Sequence, residues 1–301
     1  NRDHGVTFEH TALVEGLRAF VKGLPGVTWL DDCRARALEG QTLAYEGSDG
    51  DGTVSAPLIV GADGKFSAVR AMLGEPRDKA PLSFMAGLML RDTELPFEGH
   101  GHVLLGGLGP ALAYRVEDDG IRICLDVPAS VRKSPKRLDL VWEGYRHVLP
   151  PSLGRAIQRE LEAERVLWAV NAVHARTCYG RPGVALVGDA AGFLDGITGE
   201  GMSLTLLSAR LAAEVLSERL RDGRLGRRAL QPYAWRRWRA SRDLTWLTEI
   251  VLAGIRHRRL ARRVVRGLAR HPEVFERVLA VNAGVGGLRD VGVRNLLKVL
   301  M

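Results

Sequence analysis

The chain has 301 residues, 46% of them hydrophobic and 26% charged, which suits one large domain or two smaller ones with a sizeable core and excludes wholesale disorder. Its net charge of +8 is uneven: residues 219–301 carry 20 Lys+Arg against 6 Asp+Glu, net +14, whereas residues 1–218 net −6. A basic tail on an acidic body points to a polyanionic partner such as a membrane face or nucleic acid, with a plain set of solvated Arg-rich helices as the bland alternative.

No uncharged apolar run approaches the ~18 residues needed to cross a bilayer. The opening "NRDHGVTFEH" lacks the basic start and apolar run of a signal peptide, and its first residue is Asn1 rather than Met, so the chain is expected to be processed or a fragment. Cys33, Cys124 and Cys178 lie far apart with no C-x-x-C spacing, which predicts reduced cysteines packed as small hydrophobes and no metal site.

In chain order, "TALVEGLRAFVKGL" (11–24) predicts an amphipathic helix from Leu13, Leu17, Phe20 and Leu24, and "PGVTWL" then turns into a strand. Residues 42–46 and 53–60 predict a hairpin around "GSDGDG", whose second arm runs into an apolar strand ending at Gly61-Ala62-Asp63-Gly64. A helix is expected from Ser67. Four short apolar runs between 83 and 127, split by Gly, Pro and acidic turns, predict an antiparallel sheet. Residues 137–164 return to a helical pattern broken at Pro150-Pro151, "ERVLWAVNAV" reads as a strand, and "GVALVG" reads as a buried one. A helix to about Leu220 follows, and the remainder is helical over 229–253, 256–270, 272–283 and 290–300.

Two stretches carry chemistry. In "GVALVGDAAGFLDGITGEGMSL" a buried strand feeds a long helix through a glycine-rich loop, leaving backbone N–H groups and the positive end of the helix dipole open to a phosphate or an electron-rich ring edge. Asp189 at the strand end is placed to accept hydrogen bonds from hydroxyls, and Gly192, Gly196, Gly199 and Gly201 let backbone approach a flat ligand. In "LIVGADGKFSAVR" (58–70) a second strand ends in Gly-Asp-Gly ahead of a helix. Together the two junctions suggest two walls of one groove.

"ADGKFSAVR" followed by "ALVGDAAGF…TGEGMSL" resembles the two downstream FAD motifs of single-component flavin monooxygenases and their reductase relatives. "LRDTELPFEGHGHVLLGGLGPALAYRVEDDGIRICLDVPAS" (90–130) is similar to the substrate-domain segment of squalene monooxygenases (squalene epoxidases). The resemblance covers roughly residues 5–220. It implies an α/β fold in which a Rossmann-like FAD/NAD(P)-binding domain carries an antiparallel-sheet substrate insert and C-terminal helices. The domains would run as a partial FAD-binding domain over 1–80, a substrate sheet over 81–175, the rest of the FAD-binding domain over 176–222 and a basic helical region over 223–301.

By the same resemblance Arg18, in "GLRAF", would meet the cofactor phosphates or adenosine side, and the backbone near Arg34 the adenine. Asp63 and Gly64 would line the groove. Gly188, Asp189 and Ala190 would form the motif that holds the ribityl chain, and Gly199, Gly201 and Met202 would flank the ring. The family's first motif, G-x-G-x-x-G, does not occur in these residues, so a first βαβ unit of about 30 residues is expected to be missing.

The resemblance further implies FAD as cofactor, NADPH or NADH as electron donor, and oxygen transfer to a hydrophobic, lipid-like substrate. "TGEG", with glutamate at Glu200, is closer to geranylgeranyl-reductase-like flavoproteins, which leaves reduction of a carbon–carbon double bond as a rival. A truncated, inactive, membrane-associated relic is a second rival. No catalytic residue is assigned, and His100, His102 and His174 read as turn and strand-edge residues without an acid–base partner. In the tail Leu260, Val264 and Leu268 form a stripe among Arg258, Arg259, Arg262, Arg263 and Arg266. That pattern, with the apolar ending "NLLKVLM", predicts interfacial helices and a cytoplasmic location on the membrane surface. Tyr233, Trp235 and Trp238 stand among arginines, yet no known nucleic-acid module is present and nucleic acid is not expected as a partner.

Overall fold

A computed structural model of the chain describes residues 5–75, 83–116, 119–172, 177–226, 228–255 and 257–300. It divides into two compact units, one formed by Asn1–Trp29, Pro81–Ala172 and Ala253–Arg262, the other by Leu30–Ala80, Val173–Leu252 and Arg263–Met301.

The first unit begins with α1 (His10–Lys22), the helix expected from the apolar spacing. It buries none of its residues: Leu17 and Phe20 are exposed, so its stripe is unused within the unit. The body of the unit is a five-stranded antiparallel sheet of β5 (Ser83–Leu90), β6 (His102–Leu104), β7 (Ala111–Arg115), β8 (Ile121–Pro128) and β9 (Leu167–Ala172), in the order β6-β7-β8-β5-β9. These are the apolar runs read from the sequence.

Alternation decides what each face does. Ala86, Leu88 and Leu90 on β5 pair with Leu125, Ile123 and Ile121 on β8, and all six are buried. The short α3 (Ala129–Arg132) follows, then α4 (Arg137–Tyr145) and α5 (Pro151–Glu162), of which α4 and α5 cover that face. α5 starts on Pro151, whose missing N–H costs nothing at a first turn, and it buries Leu153, Ala156, Ile157 and Leu161 at helical spacing. Each full-sized apolar side chain among them contributes about 2 kcal/mol.

The loop between β6 and β7 is pinned by Tyr145. Its hydroxyl donates to the Asp126 carbonyl at 2.6 Å and accepts from the Gly109 amide at 3.2 Å. The ring lies where a Cβ on Gly107 would stand, so that glycine is required by space rather than by dihedral angle.

The second unit opens with a three-stranded antiparallel sheet of β1 (Cys33–Glu39), β2 (Thr42–Gly47) and β3 (Gly52–Ser55). "PGVTWL" is therefore turn and irregular chain, and the strand begins three residues later at Cys33. Cys33 is exposed, which corrects its expected place among packed cysteines. The expected hairpin arm splits in two: β3 pairs with β2, and β4 (Ile59–Gly61) leaves for a different sheet with β10 (Gly180–Arg181) and β11 (Val184–Leu186). Around that sheet lie α2 (Ala68–Met72), α6 (Gly188–Ala191) and α7 (Gly201–Arg221).

The helices that follow are α8 (Gln231–Ile255), α9 (Arg258–Arg270), α10 (Pro272–Asn282), α11 (Leu288–Val291) and α12 (Val293–Leu300). Leu247, Val274, Val281, Val291 and Val299 form their core, with Val264 and Leu268 packed against it. This changes the reading of α9. Two of its three stripe residues are spent on packing, and only Leu260 keeps substantial exposure, at 39%. No helix among the described residues is long and apolar enough to cross a membrane.

The Tyr145 pin generates a test. Gly107→Ala overpacks the β6–β7 loop and is expected to destabilise the protein by about 1–3 kcal/mol in chemical denaturation, with the m-value unchanged.

Candidate functional site

β4 and β11 run parallel, in a register that sets Leu186 beside Gly61. The Val187 amide continues the ladder to the Gly61 carbonyl at 3.0 Å, so both chains leave the sheet at the same level. A Cβ on Gly61 would stand 2.7 Å from Leu186 Cδ2 and 3.0 Å from Val69, so the strand–helix packing needs a glycine there. The carboxyl ends of parallel strands are where open α/β sheets receive ligands, and here each end carries an aspartate.

The two aspartates are used differently. Asp63 is taken up by α2: Ser67 Oγ donates to its Oδ1 at 2.5 Å, and the amides of Ala68 and Val69 donate to its Oδ2 at 2.7 and 3.1 Å. Gly64 beside it adopts φ +75° with open space around it. Asp189 receives no hydrogen bond among the described residues. Burial pushes its carboxyl above the ordinary range, opposed by the positive charges of Lys65 and Arg237.

The strand end before Asp189 is braced by a buried polar chain. The Gly188 amide donates to Ser208 Oγ at 3.0 Å, Ser208 Oγ meets the Tyr233 hydroxyl at 2.8 Å, and that hydroxyl donates to the Leu186 carbonyl at 2.9 Å. Gly188 sits at φ +57° with its α-carbon against Thr205, a conformation that side chains rarely adopt. Arg70, buried on α2, donates from Nη1 to the carbonyls of Ala190 and Ala191 at 3.2 Å and so joins the two junctions.

Beyond Gly192 the loop makes a single 3₁₀ turn, Gly196–Thr198, capped where Asp195 Oδ1 accepts from the Ile197 amide at 3.0 Å. Gly199 follows in the left-handed region at φ +74°, and a Cβ on either Gly199 or Gly201 would meet nothing within 4 Å. α7 starts at Gly201 with no side chain capping it, so its first amides and the positive end of a 21-residue helix face open space. Thr198 Oγ1 is buried without a partner, and Met202 is exposed. Lys65 approaches Asp189 from the other junction, with its ammonium 5.0 Å from the centre of the Phe193 ring, and burial lowers its pKa.

An unspent carboxylate, open glycine backbone, uncapped helix amides and an orphan hydroxyl together fit a ligand that brings hydroxyl groups and a flat, electron-rich ring.

The expected site residues thus fall into three places. Asp63, Gly64, Gly188, Asp189 and Ala190 gather at the paired strand ends, and Gly199, Gly201 and Met202 follow in the adjoining loop. Arg34 is exposed on β1, in the separate three-stranded sheet. Arg18 belongs to the first unit, half exposed on α1 and paired with Glu15 at 2.7 Å.

Sequence reasoning missed Lys65, Arg70 and Arg237. "DGK" placed Lys65 next to a chosen residue, and the arginine closing "DGKFSAVR" was a usable signal for Arg70. Nothing local marked Arg237. It is 5% exposed on α8, its Nε has no partner, and desolvation lowers its pKa against the pull of Tyr233, Tyr179 and Asp189.

In the first unit, the sheet face turned away from α4 and α5 mixes polar residues with apolar ones such as Met85, Met89 and Leu112. Tyr114 and Arg122 stand opposite each other across β7 and β8. Burial beside Cys124 pushes the Tyr114 hydroxyl up to about 12. On the same face Asn171 donates to Asp126 Oδ1 at 2.9 Å. Of the histidines, His100 Nδ1 lies 2.9 Å from the Glu98 carbonyl. His102 stacks on Phe97 with both ring nitrogens unpartnered, and His174 lies outside the described residues. No metal-binding cluster of three or more His, Cys, Asp or Glu occurs among the described residues.

The architecture is one found in FAD-dependent monooxygenases. PqsL, a probable FAD-dependent monooxygenase from Pseudomonas aeruginosa, superposes with a TM-score of 0.66 at 21% identity, covering 83% of this chain and 71% of that one. OxyS anhydrotetracycline hydroxylase from Streptomyces rimosus gives 0.59 at 21% identity, covering 86% and 53%. The family is narrower than the fold. The squalene epoxidase family profile matches residues 55–250, and the chain belongs to that family. Squalene epoxidase 3 of Arabidopsis thaliana is 29% identical over 221 residues, which are 71% of this chain and 42% of the relative. Squalene epoxidase ERG1 of Candida albicans is 28% identical over 229 residues, 71% and 46%. The chain spans less than half the length of these two relatives.

The raised Asp189 pKa has a signed consequence. The folded state holds the proton more tightly than the unfolded chain, so stability falls as pH rises from the unfolded value through the folded one, and the cost is complete above it. Asp189→Asn is therefore expected to raise the melting temperature of the ligand-free protein at pH 7. The gain should shrink as the pH falls toward the ordinary carboxylate value of about 4 and be gone below it. Thermal denaturation across that range checks it.

Proposed function

We propose that this chain forms the flavin-side and substrate-covering parts of an FAD-dependent, NAD(P)H-driven monooxygenase that acts on a hydrophobic, lipid-like substrate. One observation carries the reading: the parallel pair β4–β11 ends in an unspent Asp189 and continues into a glycine loop and an uncapped α7. Family membership supports it.

Bound FAD would supply the redox chemistry. Asp189 would accept hydrogen bonds from the ribityl hydroxyls, with Gly188 and Ala190 holding its backbone in place. Gly199, Gly201 and Met202 would lie along the ring, and the first amides of α7 would stabilise negative charge on it. Asp63 and Gly64 would shape the other wall through α2. Arg34 is proposed for the adenosine end. The chain's work is binding, orientation and water exclusion, and no side chain is required as a nucleophile. The domain limits proposed are those of the sequence, with the antiparallel sheet as the substrate domain.

A peripheral membrane contact fits such a substrate and draws support from α8 rather than from the α9 stripe. Trp235, Trp238 and Trp246 are 54%, 50% and 64% exposed on α8. Arg239 stacks over Trp235 at 5.2 Å and Arg242 over Trp238 at 5.3 Å. Aromatic rings among arginines suit the headgroup level of a bilayer. Reduction of a carbon–carbon double bond is the second reading, favoured by Glu200 at the N-terminus of α7.

Purified chain given FAD is expected to turn yellow and quench flavin fluorescence at one equivalent, then to consume oxygen with NADPH and a lipid-like alkene. A protein that stays colourless sinks the flavin reading for this chain, and turnover without oxygen uptake moves it to the reductase reading. Separately, the chain should co-sediment with phosphatidylserine-containing vesicles. Replacing Trp235, Trp238 and Trp246 by Ala should release it, and undiminished binding by that variant would remove α8 from the contact.

A further inference from the structure

The C-terminal helices reach back into the proposed site. Asn282, the last residue of α10, donates from Nδ2 to the Thr198 carbonyl at 3.0 Å across 84 residues of sequence. Thr198 is joined to Gly199, whose own amide donates to the Gly196 carbonyl at 3.0 Å. The Thr198–Gly199 peptide is thus held at both ends, its oxygen by α10 and its nitrogen by the 3₁₀ turn.

This peptide governs the loop. Gly199 sits at φ +74°, and glycine visits positive and negative φ with nearly equal ease. An unheld peptide here could rotate and turn the backbone of Gly199, Glu200 and Gly201 to new directions. Among the described residues no other hydrogen bond from outside the loop holds this peptide: a Cβ on Gly199 or Gly201 would stand in open space, and Thr198 Oγ1 has no partner. α10 itself is a firm base. Val274 and Val281 are buried in the core shared with Leu247, Val291 and Val299. Asn282 lies beyond residue 250, where the family match ends.

We propose that Asn282 is a positioning residue for the flavin site: by clamping the Thr198–Gly199 peptide it selects the loop conformation in which Gly199, Gly201 and Met202 can receive the ring. This rests on the flavin reading above. It makes α10 a structural part of the cofactor site rather than a solvated or purely surface-binding tail.

Asn282→Asp is nearly the same size but has lost the N–H donor and sets a carboxylate against a carbonyl. In the ligand-free full chain it is expected to speed amide hydrogen exchange within 196–202 selectively, leaving the strands β4 and β11 protected. FAD affinity, read from flavin fluorescence, should fall at least tenfold. Asn282→Gln, which keeps the donor on a longer arm, should recover part of both. Should the aspartate variant fold poorly by circular dichroism, Asn282→Ala gives the same comparison without the charge.

Loop exchange at the wild-type rate, or unchanged FAD affinity in a folded variant, overturns the proposal. A wild-type chain that takes up no FAD fails the flavin reading instead, and the exchange comparison, made without ligand, still decides whether the clamp exists.

Discussion

The parallel pairing of β4 with β11 is the constraint on which the rest of the second unit depends. The pair sets Leu186 level with Gly61, and everything chemically distinctive follows from two chain segments leaving a sheet side by side. The pairing needs glycine at position 61, because Leu186 and Val69 occupy the space of a side chain. It needs Arg70 to tie α2 to the carbonyls of Ala190 and Ala191. It also needs Tyr233 and Ser208 to satisfy the groups around Gly188 that no strand reaches. Unpaired buried backbone groups cost enough that each such partner is part of the fold as well as of the site.

Much of this was legible in the sequence because local rules and tertiary demands agreed. The apolar runs of the five-stranded antiparallel sheet were bounded by turn residues, and both strand–Gly–Asp junctions announced a backbone that must bend where no side chain fits. Where reading failed, a long-range partner decided. "PGVTWL" has strand-like residues and, among the described residues, no strand to pair with, whereas Cys33–Glu39 carries three charged residues in seven and pairs with Thr42–Gly47. Tertiary pairing outweighed propensity in both places. The α9 stripe was correctly seen as apolar, but periodicity does not say whether an apolar face meets lipid or a neighbouring helix. Val274 and Val281 supply that answer from further along the chain.

The site residues follow the same division. Asp189 was readable from its motif. Arg237, which acts on it electrostatically, sits 48 positions later in a helix whose arginines look alike in the sequence, and only burial singles it out. The site also carries costs that a purely structural junction would shed. Asp189 is pushed toward its protonated form, Arg237 Nε is buried without a partner, and Thr198 Oγ1 is orphaned. Burying unmatched polar groups is unfavourable, and their concentration around one strand end supports the proposed ligand site.

The unequal fates of the two aspartates bear on selectivity. Asp63 already holds three donors of its own helix, while Asp189 holds none among the described residues. Under the proposed flavin reading, recognition in this groove would be lopsided. The stereochemistry of a hydroxylated chain would be inspected at Asp189, and the opposite wall would offer shape and little else. Ligand analogues altered at the Asp63 end would pass where their mirror changes at the Asp189 end would be refused.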